Sequence, residues 1–225
     1  MTLSDAASFA WWWTAWRRGD AALDDVIDAL EGIHHVTGLP GHDEPLSLVF
    51  AFPALRDLGA VSAGLALPAD GDPLGLGGPA DFNTAALDTG EAVVLAGAGL
   101  GLIPHRAGHG VVWQCLPAAR RQLPDLGEAD RGLRHTLATT AHRLDGRQLG
   151  HELPELADAL LNLRHRHMPH APAGTPALCV DLAARALQAW AIADLAPIEE
   201  LSPLEAAARR ALVAACSPEV WPPAP

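Results

Sequence analysis

Histidine is the one catalytic residue type that this sequence overuses, with 11 copies in 225 residues. The copies are densest where Arg164, His165, Arg166, His167, Met168, Pro169 and His170 follow one another. A transition-metal centre needs about three neutral imidazoles converging at about 2 Å, with an open position if it is to activate water. In an extended segment His165 and His167 share a side, and His170 can turn in after Pro169, so these three are the candidate metal ligands. The chemistry they point to is metal-assisted hydrolysis. In a helix the first two diverge by roughly 200°, and the arginines between them repel a cation. The competing reading is a solvated helix end whose positive groups suit the dipole.

Gly97, Gly99 and Gly101 follow a strand-like run and invite comparison with a dinucleotide loop. That loop needs GxGxxG and a following helix whose N-terminus receives the pyrophosphate. Here the spacing is GxGxG, and Pro104, Gly108 and Gly110 leave no room for the helix. A hairpin or bulge cluster is the expectation. The chain contains no lysine, so it has no P-loop. His105 and His109 flank a glycine turn near Cys115, and a thiol and an imidazole can form a nucleophile pair. Against that, Cys115 shares a strand face with Val111 and Trp113, the setting of a buried, inert thiol. His135 and His142 share a helical face without a matching acidic ligand, and the adjacent His34 and His35, in a connector after the second helix, would point apart if extended.

The elements that must position these residues follow from apolar spacing. Residues 46–116 hold short apolar runs cut by Gly, Pro and Asp. Leu46, Leu48, Phe50 and Phe52 alternate as one strand face, and Val61, Ala63, Leu65 and Leu67 do so again. After a turn-rich loop at 68–79 and a short helix at 79–89, with Phe82, Ala85, Ala86 and Leu87 inward, strands are expected at 91–96, 100–103 and 111–116. Their links are too short for crossover helices, so the sheet should be largely antiparallel.

Before the sheet, Ser4 can cap a helix that ends at Gly19 with Arg17 and Arg18 near its C-terminal dipole. Phe9, Trp12, Trp13 and Trp16 cluster on one side of it and Trp11 points the other way. Either the helix packs between two layers, or Trp11, Trp12 and Trp16 include contacts to a partner or a second copy. Asp20 caps a second helix with Leu23, Val26, Ile27 and Leu30 on one stripe and Asp24, Asp25, Asp28 and Glu31 on its solvated side. After residue 117 the pattern turns helical: 128–147 through Leu133, Leu137, Thr140 and Leu144, then 153–163, 177–194 and a last helix from Ser202. Thr175 with Pro176, and Ser202 with Pro203 and Glu205, carry helix-start signals. Trp221 sits in a Pro-rich tail that should be mobile except where this ring finds a groove.

Composition narrows the classes. A net charge of −12 makes a phosphate-neutralising surface improbable, so no nucleic acid is expected. The acidity belongs to the front half: residues 1–116 hold 14 acidic and 4 basic side chains, net −10. No uncharged apolar run reaches a span, and Asp5 with the late Arg17 and Arg18 does not suit a signal peptide, so no membrane is expected. Cys115, Cys179 and Cys216 are odd in number and widely spaced, which fits a reducing cytoplasm.

Pro68-Ala69-Asp70-Gly71-Asp72-Pro73, Leu87-Asp88-Thr89-Gly90-Glu91-Ala92-Val93 and Gly99-Leu100-Gly101-Leu102-Ile103-Pro104 together resemble a functionally uncharacterised family of proteins from GC-rich bacteria. The resemblance covers the middle half of the chain and implies a shared scaffold but no activity. All 15 basic residues being arginine agrees with such a source.

The expectation is an α+β fold: an N-terminal helical pair, an antiparallel sheet, and a C-terminal layer of about four helices, divided near 116/117 or forming one domain. The first functional expectation is a non-catalytic interaction or regulatory protein forming a homo-oligomer, through the Trp-rich helix or the apolar helix at 177–194, with no cofactor. A small-molecule-binding domain, with an apolar pocket rimmed by the 68–79 loop, and a metal-dependent hydrolase are the alternatives.

Overall fold

Six strands form the central sheet: β1 (Ile33–Thr37), β2 (Leu46–Ser47), β3 (Ser62–Ala66), β4 (Ala92–Ala96), β5 (Leu100–Ala107) and β6 (Gly110–Pro117). A computed structural model describes residues 2–119, 122–146, 168–195 and 199–222. The strand order is β2-β1-β6-β5-β4-β3. Only β1 and β6 run parallel; every other neighbouring pair is antiparallel. Among the described residues the helices are α1 (Asp5–Arg18), α2 (Leu23–Ala29), α3 (Leu48–Asp57), α4 (Ala80–Thr89), α5 (Leu126–Gly146), α6 (Ala177–Leu195) and α7 (Ser202–Ala215). The fold is α+β with a mixed, largely antiparallel sheet.

The sheet is covered on both faces, which is why β3 and β4 read as near-continuous apolar runs. On one face Ala63, Leu65, Val93, Leu95, Leu100 and Leu102 join a cluster that draws on α1, α3, α5, α6 and α7. On the other, Ala66, Val94 and Ile103 meet Phe82 and Ala86 of α4. Leu87, expected inward, is 41% exposed. The larger cluster runs unbroken from α1 to α7, so the sheet and the C-terminal helices share one core.

Two expectations about the sheet are corrected. Residues 46–52 are not a strand face: two residues pair as β2 and the chain then enters α3, where Leu48, Ala51, Phe52 and Leu55 are buried and Phe50 is 67% exposed. Leu48 and Phe52 satisfy both periods, so a short window does not separate them. Pro53 costs one bond, to the carbonyl of Val49, a residue that is 44% exposed. The second correction is β1, expected as a connector. Its pattern is masked because Ile33 is exposed and the buried position belongs to His34.

Several local signals act as read. Ser4 Oγ accepts the Ala7 amide at 3.4 Å, and Gly19 closes α1 at φ 83°. Asp20 does not start α2; Ala22 occupies the cap and its N–H donates to the Asp25 carboxylate. α6 begins directly after Thr175 and Pro176. α7 begins at Ser202 but continues from a 3-10 turn, so Leu201, not Ser202, is its cap residue. The leucine pattern at 153–163 lies outside the described residues.

The edges of the sheet are closed by the chain itself. β2 is only two residues long. On β3, Thr14 Oγ1 accepts the Ala63 N–H at 3.0 Å and donates to the Ala63 carbonyl at 3.2 Å, while the Leu65 N–H donates to the Cys216 carbonyl at 3.1 Å. An edge whose donors are already paired offers little template for another strand.

Candidate functional site

Trp11, Trp12 and Trp16 are placed within this chain's own packing. Trp11 is fully buried, and its Nε1 donates to the Ala215 carbonyl at 3.1 Å; Trp221 Nε1 donates to the same oxygen at 2.8 Å. Two indoles thus satisfy a carbonyl that the end of α7 leaves without an intrahelical partner. Arg18 lies 5.2 Å from the Trp221 ring and holds the tail residue in its groove. Trp16 is half-buried beside Phe52 and Arg56. Trp12 is buried except for an edge that meets the His170 ring at a tilt of 59°, ring centroids 5.0 Å apart.

That edge opens into a cleft of about 870 Å³, large enough for a small organic ligand. Asp5, Ser8 and Trp12 form one wall, a single stripe of α1 at helical spacing. The end of α2 with Leu30, Glu31 and Gly32 forms a second, the β5–β6 hairpin with Arg106, His109 and Val111 a third, and Met168, Pro169 and His170 close the rim.

Backbone contacts and a buried imidazole hold this cleft in shape. A side chain at Gly32 would strike the His109 carbonyl, and one at Gly110 the Ile33 carbonyl, so glycine at both places lets β1 lie against the hairpin. Gly32 also sits at φ 93°, a region that disfavours other residues. Behind it, the Trp113 indole, which can only donate, gives its proton to His34 Nδ1 at 3.0 Å. His34 Nε2 must therefore carry the other proton and donate to the Glu31 carbonyl at 3.0 Å. The neutral imidazole is fixed in one tautomer and ties the cleft wall to the sheet.

The charged groups have unequal freedom. Arg106 Nε donates to Asp5 Oδ2 at 2.8 Å, and its side chain is 76% exposed. A pair so solvated adds about 0–1 kcal/mol to stability. Its terminal Nη groups have no partner among the described residues. Glu91 lies behind Asp5: its Oε2 accepts the Ala6 N–H at 2.9 Å and fills the anion position at the start of α1. Burial pushes its carboxyl above the ordinary 4.5, opposed by its hydrogen bonds to Ser4 and Ala6.

Among the described residues the remaining sequence candidates do not converge. His165 and His167 lie outside the described residues; His170 is on the rim with Trp12. Among the described residues no group of three or more His, Cys, Asp or Glu side chains could hold a metal ion. His135 and His142 are exposed on α5. His105 pairs with Val112, three rungs or about 10 Å along the ladder from Cys115. Burial raises the Cys115 thiol to about 11, so it is not an activated nucleophile.

Packing accounts for two of the three glycines at 97–101. A Cβ on Gly101 would stand 2.5 Å from Phe82 Cζ, and one on Gly97 would stand 2.6 Å from the Gly59 carbonyl. The 68–79 loop does not rim this cleft. It is pinned to α7, where buried Arg209 donates to the Leu67 carbonyl at 3.1 Å and to Asp72 at 3.2 Å.

Residues 6–130 match the family model described as Rv1486c-like protein, N-terminal domain, and residues 127–213 match Rv1486c-like protein, C-terminal domain. The chain belongs to the Rv1486c-like family. No curated protein and no solved structure matches it. The two Rv1486c-like models meet in the first turn of α5, about ten residues beyond the division at 117 suggested by the sequence pattern. Neither description assigns a residue a role, so the cleft rests on its geometry alone.

Arg106, Asp5 and Ser8 were missed by sequence reasoning. One signal existed: Arg106 is the only basic side chain between Arg56 and Arg120.

Proposed function

We propose that this protein is a non-catalytic binding protein that receives a small molecule in the cleft between α1, the end of α2 and the β5–β6 hairpin. The observation that carries the reading is the convergence there of an indole edge, an open guanidinium and two carboxylates around about 870 Å³. A few polar groups set into a part-apolar concavity are the usual make-up of a ligand site. A reducing cytoplasm and a GC-rich bacterial source belong to the same reading, supported by three free cysteines and a lysine-free composition. No helix among the described residues is long and apolar enough to cross a membrane.

The test is NMR mapping of a chemically mixed fragment set on labelled protein. Fragments should shift the Trp12 indole and the Asp5, Ser8 and Arg106 signals, and Ser8→Trp, which fills the cleft, should abolish those shifts. Fragments that bind only elsewhere, or nowhere, would sink the reading.

Self-association is the second reading. The tryptophans are taken up inside the chain, so its support moves to α3, where Val49 and Phe50 are neighbouring apolar side chains, 44% and 67% exposed. Partner contacts commonly centre on such exposed apolar groups.

A further inference from the structure

The corner that forms the α2 wall of the cleft is strained, and a buried imidazole ties it to the sheet. Glu31 is the one non-glycine residue with a positive φ among the described residues, at 28°, and Gly32 follows at 93°. A residue with a side chain keeps such a backbone only where its surroundings enforce it. The tie is the bond from His34 Nε2 to the Glu31 carbonyl, and Trp113 fixes that ring by donating to Nδ1. His34 is 6% exposed and Trp113 is fully buried, so the indole has no water to turn to in place of His34.

A second proton changes this relay in one place. Neutral His34 accepts at Nδ1 and donates at Nε2, whereas the imidazolium donates at both. Nε2 keeps the Glu31 carbonyl, but Nδ1 then sets its proton against the Trp113 N–H across 3.0 Å. The two rings lie 28° from parallel with centroids 6.1 Å apart, so the new charge meets the positive N–H edge of the indole. No cation–π contact offsets the lost bond, because that needs the ring face. The titratable groups on the elements around the pair are Asp28 and Glu31 of α2, Asp5 of α1, Arg106 and His109 of the β5–β6 hairpin, and His170 on the rim. His35 points to the other face of the sheet, and on α3 Arg56 pairs with Asp57. Among the described residues none of these side chains bonds the His34 ring, so none receives the extra proton in place of the indole.

Resting on the cleft reading above for its consequence, we propose that His34 and Trp113 form an acid-sensitive latch on the α2 wall of the cleft. Protonation of His34 breaks the Trp113 bond, and the imidazolium turns from the indole and carries the Glu31–Gly32 corner with it. Gly32 abuts the His109 carbonyl so closely that a Cβ would clash, so the corner moves outward, away from the hairpin. The strained turn relaxes and the wall is lost. The latch is closed at the alkaline end of the range and open at the acid end, where bound ligand is released.

The experiment follows the full, ligand-free, isotopically labelled chain by NMR from about pH 8 to pH 5, the range in which imidazole is the side chain that changes charge. At the upper end the His34 nitrogens should show a bare Nδ1 and a protonated Nε2. On acidification Nδ1 should gain its proton, the Trp113 indole proton should move upfield as its hydrogen bond is lost, and the Gly32 amide should shift with the same midpoint. His34→Asn sets an amide oxygen near the place of Nδ1 and cannot titrate, so its indole resonance should stay downfield and flat. His109→Gln should leave the wild-type response whole. A proton on Nδ1 at the upper end, a His34 that stays neutral throughout, or indole and Gly32 signals that do not follow the His34 proton would each overturn the latch. The wild-type nitrogen shifts decide this even if the asparagine variant fails to fold. Fragments bound at the cleft should dissociate across the same midpoint, and equal binding at both ends would overturn the latch's control of the cleft. The cleft reading fails by a different result, the absence of any fragment shift at Trp12 at the upper end.

Discussion

Replacing Thr14 by Val tests whether one hydroxyl seals the edge of the sheet. Thr14 is 1% exposed, and Val has nearly its shape, so the substitution leaves almost no cavity. It removes the acceptor of the Ala63 N–H and the donor to the Ala63 carbonyl, both on the outer edge of β3. Leaving a buried donor or acceptor unpaired costs about 1–3 kcal/mol, and the carbonyl, with two lone pairs, belongs at the low end. The expected loss is roughly 2–4 kcal/mol. For a chain of this size that corresponds to a drop in Tm of roughly 4–16 °C. Thr14→Ser keeps the hydroxyl and loses a methyl, for which about 1 kcal/mol is expected. Urea denaturation of the three proteins, followed by tryptophan fluorescence and far-UV circular dichroism, measures the difference. A valine variant within 0.5 kcal/mol of wild type, or a serine variant as damaged as valine, would refute the argument.

Three further outcomes are expected. Glu91 has a carboxyl raised above its ordinary value in the folded state, so its contribution to stability is full below that ordinary value and is lost as pH rises through the folded one. Glu91→Gln should remove that part of the pH dependence, and an unchanged slope in urea denaturation between pH 4 and 8 would count against it. Burial raises the Cys115 and Cys179 thiols to about 11 and about 12, so native protein at pH 8 should react with a thiol reagent far more slowly than unfolded protein. Fast labelling of either would contradict their burial. If α3 is a contact surface, Phe50→Glu should lower the sedimentation-derived mass at micromolar concentration and leave Tm within about 1–2 °C, as expected of an exposed site. Equal masses would remove α3 from the contact.

The sequence by itself determined what depends on near neighbours. Ser4 and Gly19 bound α1 because a cap and a left-handed residue act within one turn. The strands β3 to β6 were legible because each contains a short apolar run bounded by turn-forming residues. The seal on Cys115 followed from Val111 and Trp113 on the same strand face. Only the tertiary structure decided the rest. Leu48 and Phe52 fit both a strand and a helix until the core chose the face containing Ala51 and Leu55. His34 reads as polar until Trp113, 79 positions away, and Glu31 satisfy both its nitrogens. Trp11 faces away from the other tryptophans of α1, and nothing local shows that the last turn of α7 will supply its hydrogen-bond acceptor. The cleft is the clearest case. Asp5 and Arg106 are 101 residues apart and Trp12 meets His170 across a still longer stretch of chain, so their juxtaposition is set by strand order and helix packing, which no local spacing encodes.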